Sequence, residues 1–165
     1  MKVTKMLACA AAALAISSGQ AAAEDPMMVQ VKRLSLDTAV KMAQATMAAC
    51  REKGIQIGVT VVDRDGTVQV ALRDTIAPPI TLPISKGKAA AAVNFSVATA
   101  ELADRANTPI GRVPGLVMSA GGIPVQVGGA MVAAVGVSGA PSGETDAECA
   151  QAGIDAVIDD LEMSM

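Results

Sequence analysis

The chain has 165 residues, no histidine, tryptophan or tyrosine, and a single phenylalanine, Phe95. That excludes a histidine-based triad, a histidine general base, a HExxH zinc site and a histidine-ligated haem. A net charge of −3 and so few aromatic residues argue against a nucleic-acid-binding surface. The 52% hydrophobic content and the length suit one domain with a real core.

In chain order, residues 1–23 read as a Sec-type signal peptide. Lys2 and Lys5 form a short positive region, Met6 to Ile16 an apolar stretch, and Ala21-Ala22-Ala23 a small-residue cleavage site. Eleven apolar residues are too few to span a bilayer core. Cys9 sits at the start of this stretch, where a lipoprotein cysteine does not belong. Cleavage would leave 142 residues with 11 basic and 16 acidic side chains, expected in the periplasm or outside the cell. Residues 24–33 read as a flexible N-terminal arm, and 34–162 as the domain.

Ser35 is placed as N-cap of a helix whose Leu36, Val40, Ala43, Met47 and Cys50 share a face, with Gly54 as terminator. Ile55–Val62 and Thr67–Leu72 read as strands joined by an Asp65-Gly66 turn. Ile84–Ala100 reads as an alanine-rich helix able to pack closely, with a short helical continuation to Ala106. Leu116–Ser119, Ile123–Val127 and Met131–Ser138 read as three further strands, the last two joined at Gly128-Gly129. A final helix is expected from Glu144 to Leu161, with Thr145 and Glu148 as a capping box. Hairpin connections imply an α+β domain with an antiparallel sheet flanked by helices. If the first and last helices lie antiparallel, Cys50 approaches Cys149. A disulfide and two buried thiols both remain open, because spacing alone does not decide geometry.

The segments LSLDTAVKMAQATMAACREKG, VTVVDRDGTVQVALRD and KGKAAAAVNFS, followed by GGIPV, GG and VGVSGAPSGETDAECAQAG, resemble the GlcG/HbpS family, also seen as the C-terminal domain of PduO-type proteins. The resemblance covers about residues 34–161. It implies a five-stranded antiparallel sheet with flanking helices and homo-oligomers, often octamers. It also implies haem (tetrapyrrole) binding or haem and iron handling. The histidine iron ligand of the PduO-type domain has no counterpart in this sequence. Methionine, cysteine, lysine or a hydroxyl remain as donors.

Three groups of residues stand out as candidates. Ser138-Gly139-Ala140-Pro141-Ser142-Gly143 precedes a helix N-terminus, which suits a carboxylate or propionate; the simpler reading is a turn capped by Ser142. Arg73, with Lys86 and Lys88 in the next helix, suits a small acidic ligand; the simpler reading is solvated charge. Glu101 and Asp104 could share a face towards a hard cation, a variant of the acidic ExxE pattern of HbpS-type relatives, and are otherwise surface charge. The leading reading is an exported small-ligand-binding oligomer. One alternative is an enzyme or accessory protein acting on a small hydroxy- or oxo-acid, with Arg73 and a lysine as anchors and Asp63 or Asp74 as base. Another is a structural oligomer without a ligand site.

Overall fold

A strand rich in β-branched residues, β1 (Gly58–Asp63), forms the centre of the domain and is buried along its whole length. It pairs antiparallel with β2 (Val68–Arg73) on one side and with β4 (Ala130–Ser138) on the other. β3 (Gly122–Val127) pairs with β4, giving the order β2-β1-β4-β3. The computed structural model describes residues 27–165, so the expected leader lies outside the described residues. Val31–Met165 form one compact unit. Residues 27–30 are exposed and take part in no helix or strand.

Each hairpin follows from its turn chemistry. Asp63 Oδ1 accepts the N–H groups of Asp65 and Thr67, both at 2.9 Å, and Gly66 takes the positive φ the turn requires. Gly128 and Gly129 both have positive φ, the requirement of a type I′ connection.

The two faces of the sheet are covered differently. Val59, Val61, Val125, Val135 and Val137 point to one side, where α1 (Leu36–Glu52) and α3 (Gly143–Met163) bury Met42, Ala43, Met47, Ile154 and Val157 against them. Ser35 caps α1 by accepting the Thr38 N–H, as its position in the sequence suggests. On the other side α2 (Thr81–Phe95) lies on Val62 and Ala134 through Ala89, Ala92 and Val93. This contact is close. A Cβ at Gly136 would collide with the Ser85 carbonyl oxygen, and one at Gly58 would meet Thr81. Between helix and sheet, the Thr60 and Ser85 hydroxyls satisfy each other at 2.8 Å.

Cys50, at the end of α1, is disulfide-bonded to Cys149, in the second turn of α3, with 5.5 Å between their Cα atoms. Both are fully buried in the α1/α3 layer.

Several expectations are corrected. The sheet has four strands among the described residues, not five. Leu116–Ser119 pairs with no strand because its backbone groups are engaged elsewhere. Val117 N–H donates to the Gly87 carbonyl of α2, and the Ser119 carbonyl accepts the Thr99 hydroxyl. α2 starts at Thr81, with Pro83 tolerated in its first turn, and ends at Phe95 rather than Ala100. Ser96 turns left-handed, with φ of 57°, and redirects the chain into a 3-10 helix, Thr99–Arg105. A second short 3-10 turn covers Pro109–Arg112. Ser142, not Thr145, caps α3. Arg33, in the segment before α1, pairs with Asp63 and Asp65, and this bears on none of those corrections.

The disulfide joins two residues 99 positions apart in the sequence. The Cys50→Ala/Cys149→Ala variant is expected to lose about 2–5 kcal/mol of unfolding free energy. Urea denaturation of the variant, beside the parent protein with and without reductant, measures this.

Candidate functional site

The residues expected to carry chemistry fall into separate places. Lys88, from the middle of α2, reaches Asp146 in the first turn of α3. Nζ and Oδ2 lie 2.8 Å apart, and both side chains are 5% exposed. Asp146 Oδ1 accepts the Ala140 N–H at 3.0 Å. Gly121 makes the pair possible, since a Cβ there would press on Lys88 Nζ and Asp146 Cβ. Burial pushes the Asp146 carboxyl up from the ordinary carboxylate range, against the opposing pull of Lys88 and the Ala140 N–H. Sequence reasoning singled out Lys88 but missed Asp146. The two are 58 positions apart, and no local signal links them.

The same ion pair accounts for the Ser138–Gly143 loop. Asp146 takes the Ala140 N–H, and Ser142 Oγ takes the Thr145 N–H at 3.2 Å. The Glu144 carboxyl is held below its ordinary range, first by its own backbone N–H and then by Ser142. The helix N-terminus is thus already supplied with acceptors from the chain itself. Ser138 is buried at the end of β4. Cβ atoms at Gly139 and Gly143 would press on the Gln56 and Ala120 carbonyl oxygens, respectively.

Arg73 turns back on its own loop. Its guanidinium donates to the carbonyls of Asp74, Thr75 and Ala77. Asp74 is buried, holds Arg51 through Oδ1 and accepts the Ile57 N–H through Oδ2. Asp63 serves its hairpin turn and Arg33. Lys86 is exposed on α2. The structure therefore brings Arg73, Lys86 and Lys88 to three different settings rather than to one ligand.

Glu101 and Asp104 are both exposed on the 3-10 helix. Among the described residues, no cluster of three or more acidic, cysteine or histidine side chains could hold a metal ion. Arg105 beside them lies over the Phe95 ring, 5.7 Å from its centre. Glu101 also borders a cleft of about 420 Å³ between α3, β3 and the Ser96–Ala98 turn. Ile123, Ile154 and Ile158 give that cleft apolar walls, Asp155 is its second carboxylate, and no basic residue lines it. Such a wall disfavours a dianion.

A different cleft, of about 200 Å³, has the opposite character. It is lined by Lys32, Arg33, Leu34, Val127, Val132, Leu161, Ser164 and Met165. It lies where the segment before α1, the β3–β4 hairpin and the end of α3 meet. Its floor is apolar, and of its two cationic lining residues Arg33 is held by Asp63 and Asp65.

The family described as "Haem degrading protein HbpS-like" matches residues 34–155. The chain belongs to this HbpS-like family. A crystal structure of a Streptomyces reticuli HbpS double mutant is 37% identical, covers 90% of this chain and 99% of its own, and superposes with a TM-score of 0.75. Klebsiella pneumoniae ORFY is 26% identical over 81% of this chain and 97% of its own, with a TM-score of 0.75. PduOC, crystallised in complex with haem, is 26% identical over 75% of this chain and 94% of its own, with a TM-score of 0.69. No curated protein matches the chain. In this HbpS-like chain the matched segment contains the Lys88–Asp146 pair and the disulfide. Lys32, Arg33, Leu161, Ser164 and Met165 of the basic cleft lie outside it.

Removing one partner of the buried pair strands a charge. Lys88→Met is expected to cost about 3–5 kcal/mol near neutral pH, and Lys88→Met/Asp146→Leu less. In the single variant the Asp146 pKa rises further above its unfolded value of about 3.9. Its folded state is then favoured below that pH and loses stability as pH climbs through the raised value. Denaturation from pH 4 to 8 should show the deficit of Lys88→Met growing with pH.

Proposed function

We propose that this protein is a haem-related binding protein of the HbpS type, exported and working as a homo-oligomer. The observation that carries this reading is the family match over residues 34–155, joined to 37% identity with HbpS across 90% of the chain. The haem complex of PduOC adds a relative of the same fold that holds the group.

The residues present fit haem with weak axial ligation. The chain has no histidine or tyrosine. Cys50 and Cys149 are joined to each other, and Lys88 is held by Asp146. Methionine thioethers and exposed lysines remain as donors among the described residues. A bound haem would supply an iron centre, a flat apolar ring and two propionates. The chain would supply an apolar surface for the ring and cations for the propionates, so binding rests on burial and charge more than on iron ligation.

Export is supported by the three-part leader in residues 1–23 and by the disulfide, because such bonds persist in oxidising compartments. Among the described residues no helix is long and apolar enough to cross a membrane. Association is supported by apolar side chains left in water: Ile76 is 77% exposed and Ile80 61%, with Ile110 and Val113 also exposed. The acid-processing reading finds less support, because Arg73, Asp63 and Asp74 are engaged within the fold.

Titration with hemin, followed at the Soret band, is expected to show a saturable shift at one haem per chain. A shift no larger than that given by an unrelated control protein would overturn the binding reading. Light scattering of the same samples is expected to give a mass several times that of one chain.

A further inference from the structure

The cleft of about 420 Å³ between α3, β3 and the Ser96–Ala98 turn stands apart in its charge. The other described clefts each have a lysine or arginine in the wall, and this one has none. Two carboxylates line it instead, from different walls: Glu101 from the 3-10 helix and Asp155 from α3. Both are exposed, and neither forms a salt bridge among the described residues. Arg105, the cation nearest to Glu101 in sequence, lies over the Phe95 ring. Gln151 Nε2 donates to Asp155 Oδ1 at 2.8 Å, which orients that carboxylate and leaves its Oδ2 open.

Two carboxylates on a surface are ordinarily solvated charge, but here their surroundings are apolar and rich in acceptors. Ile154 and Ile158, one turn apart on α3, and Ile123 on β3 form an apolar wall; Ile154 is buried and the other two are half-buried. β3 is also an edge strand. The Gly122 N–H points away from β4 and donates to the Thr99 hydroxyl at 2.8 Å. Backbone direction alternates along an antiparallel strand, and the register is regular from Gly122 to Val125, so Pro124 faces away from β4 as well. Proline has no N–H, so at Pro124 the edge offers an acceptor and no donor. An added strand would need that N–H, and Pro124 thereby blunts the edge against peptide pairing.

We infer that this cleft binds an aliphatic diamine, with one ammonium at Asp155, the other at Glu101 and the methylene chain against Ile123, Ile154 and Ile158. An ammonium has three donors and no acceptor, which matches a lining of carboxylates and an unpaired edge carbonyl. The methylenes gain by leaving water for the isoleucine wall. The volume lies within the range of small-molecule sites, roughly 300–1,000 Å³. A bare metal ion is matched less well. It would need more oxygen donors than two carboxylates supply, and among the described residues no group of three or more acidic, cysteine or histidine side chains comes together.

Isothermal titration calorimetry at low ionic strength tests the site with 1,5-diaminopentane. Saturable binding at one ligand per chain is expected. Pentylamine, which lacks the second ammonium, should bind about five-fold more weakly, and 1,5-pentanediol, of the same length but uncharged, should give no saturable heat. Glu101→Gln and Asp155→Asn are each expected to weaken diamine binding by about five-fold, near the upper range for one exposed ion pair. Asp159→Asn, an equal charge change on an exposed residue of α3 that lines none of the described clefts, should leave the affinity unaltered. Magnesium chloride at the concentration of the diamine should not displace it. The proposal is overturned if the parent protein binds no diamine, if the diol binds as well as the diamine, if magnesium displaces the diamine at equal concentration, or if Glu101→Gln and Asp155→Asn weaken binding no more than Asp159→Asn.

Discussion

The closeness of α2 to the sheet is the constraint on which the rest of the molecule depends. A helix packed on a sheet is normally held off by the side chains between them. Here Gly58, Gly122 and Gly136 remove those side chains on the sheet, and Ala89 and Ala92 shorten them on the helix. Backbone then approaches backbone. Lys88 is carried far enough inwards to reach Asp146 across the end of the sheet. An alanine at Gly136 would meet the Ser85 carbonyl, lift α2 and strain the Lys88–Asp146 contact.

That geometry divides the domain into two unlike halves. On the α1/α3 face, valines, methionines and isoleucines make a thick apolar layer, stapled by Cys50–Cys149. On the α2 face the layer is thin and small apolar side chains are joined by one hydroxyl pair, Thr60–Ser85, and one buried ion pair. Burying ions is costly and often brings no net stability, but it penalises any packing that separates them. The Lys88–Asp146 pair thus acts chiefly on the register of α2 against α3 and fixes the Ser138–Gly143 loop between them. The loop's glycines answer to this packing.

Much of the fold was legible in the residues. Asp65-Gly66 marked one hairpin and Gly128-Gly129 the other, while Ser35 and the Ile154/Val157/Leu161 stripe marked the two long helices. These signals are local. What remained hidden was non-local. Leu116–Ser119 has the apolar character of a strand, and only its contacts with Gly87 and Thr99 show why it pairs with none. Ser96 looks like ordinary helix until its left-handed backbone stops α2. The setting of the candidate site residues was the least legible. Arg73 has the right chemistry for an anion, yet nearby carbonyls claim it. Lys88 reaches Asp146, 58 positions away, and no local signal joins the two.

The bond between Cys50 and Cys149 also has a topological consequence. It encloses β1, β2, α2, both 3-10 turns, β3 and β4 in one covalent ring. A cut anywhere within that ring, including the proline- and glycine-containing stretch 107–115, would open the ring without dividing the molecule. The first and last helices would stay joined with both halves of the sheet attached. In an environment rich in proteases but poor in reductants, such a chain tolerates a nick that would release fragments from an unbridged relative.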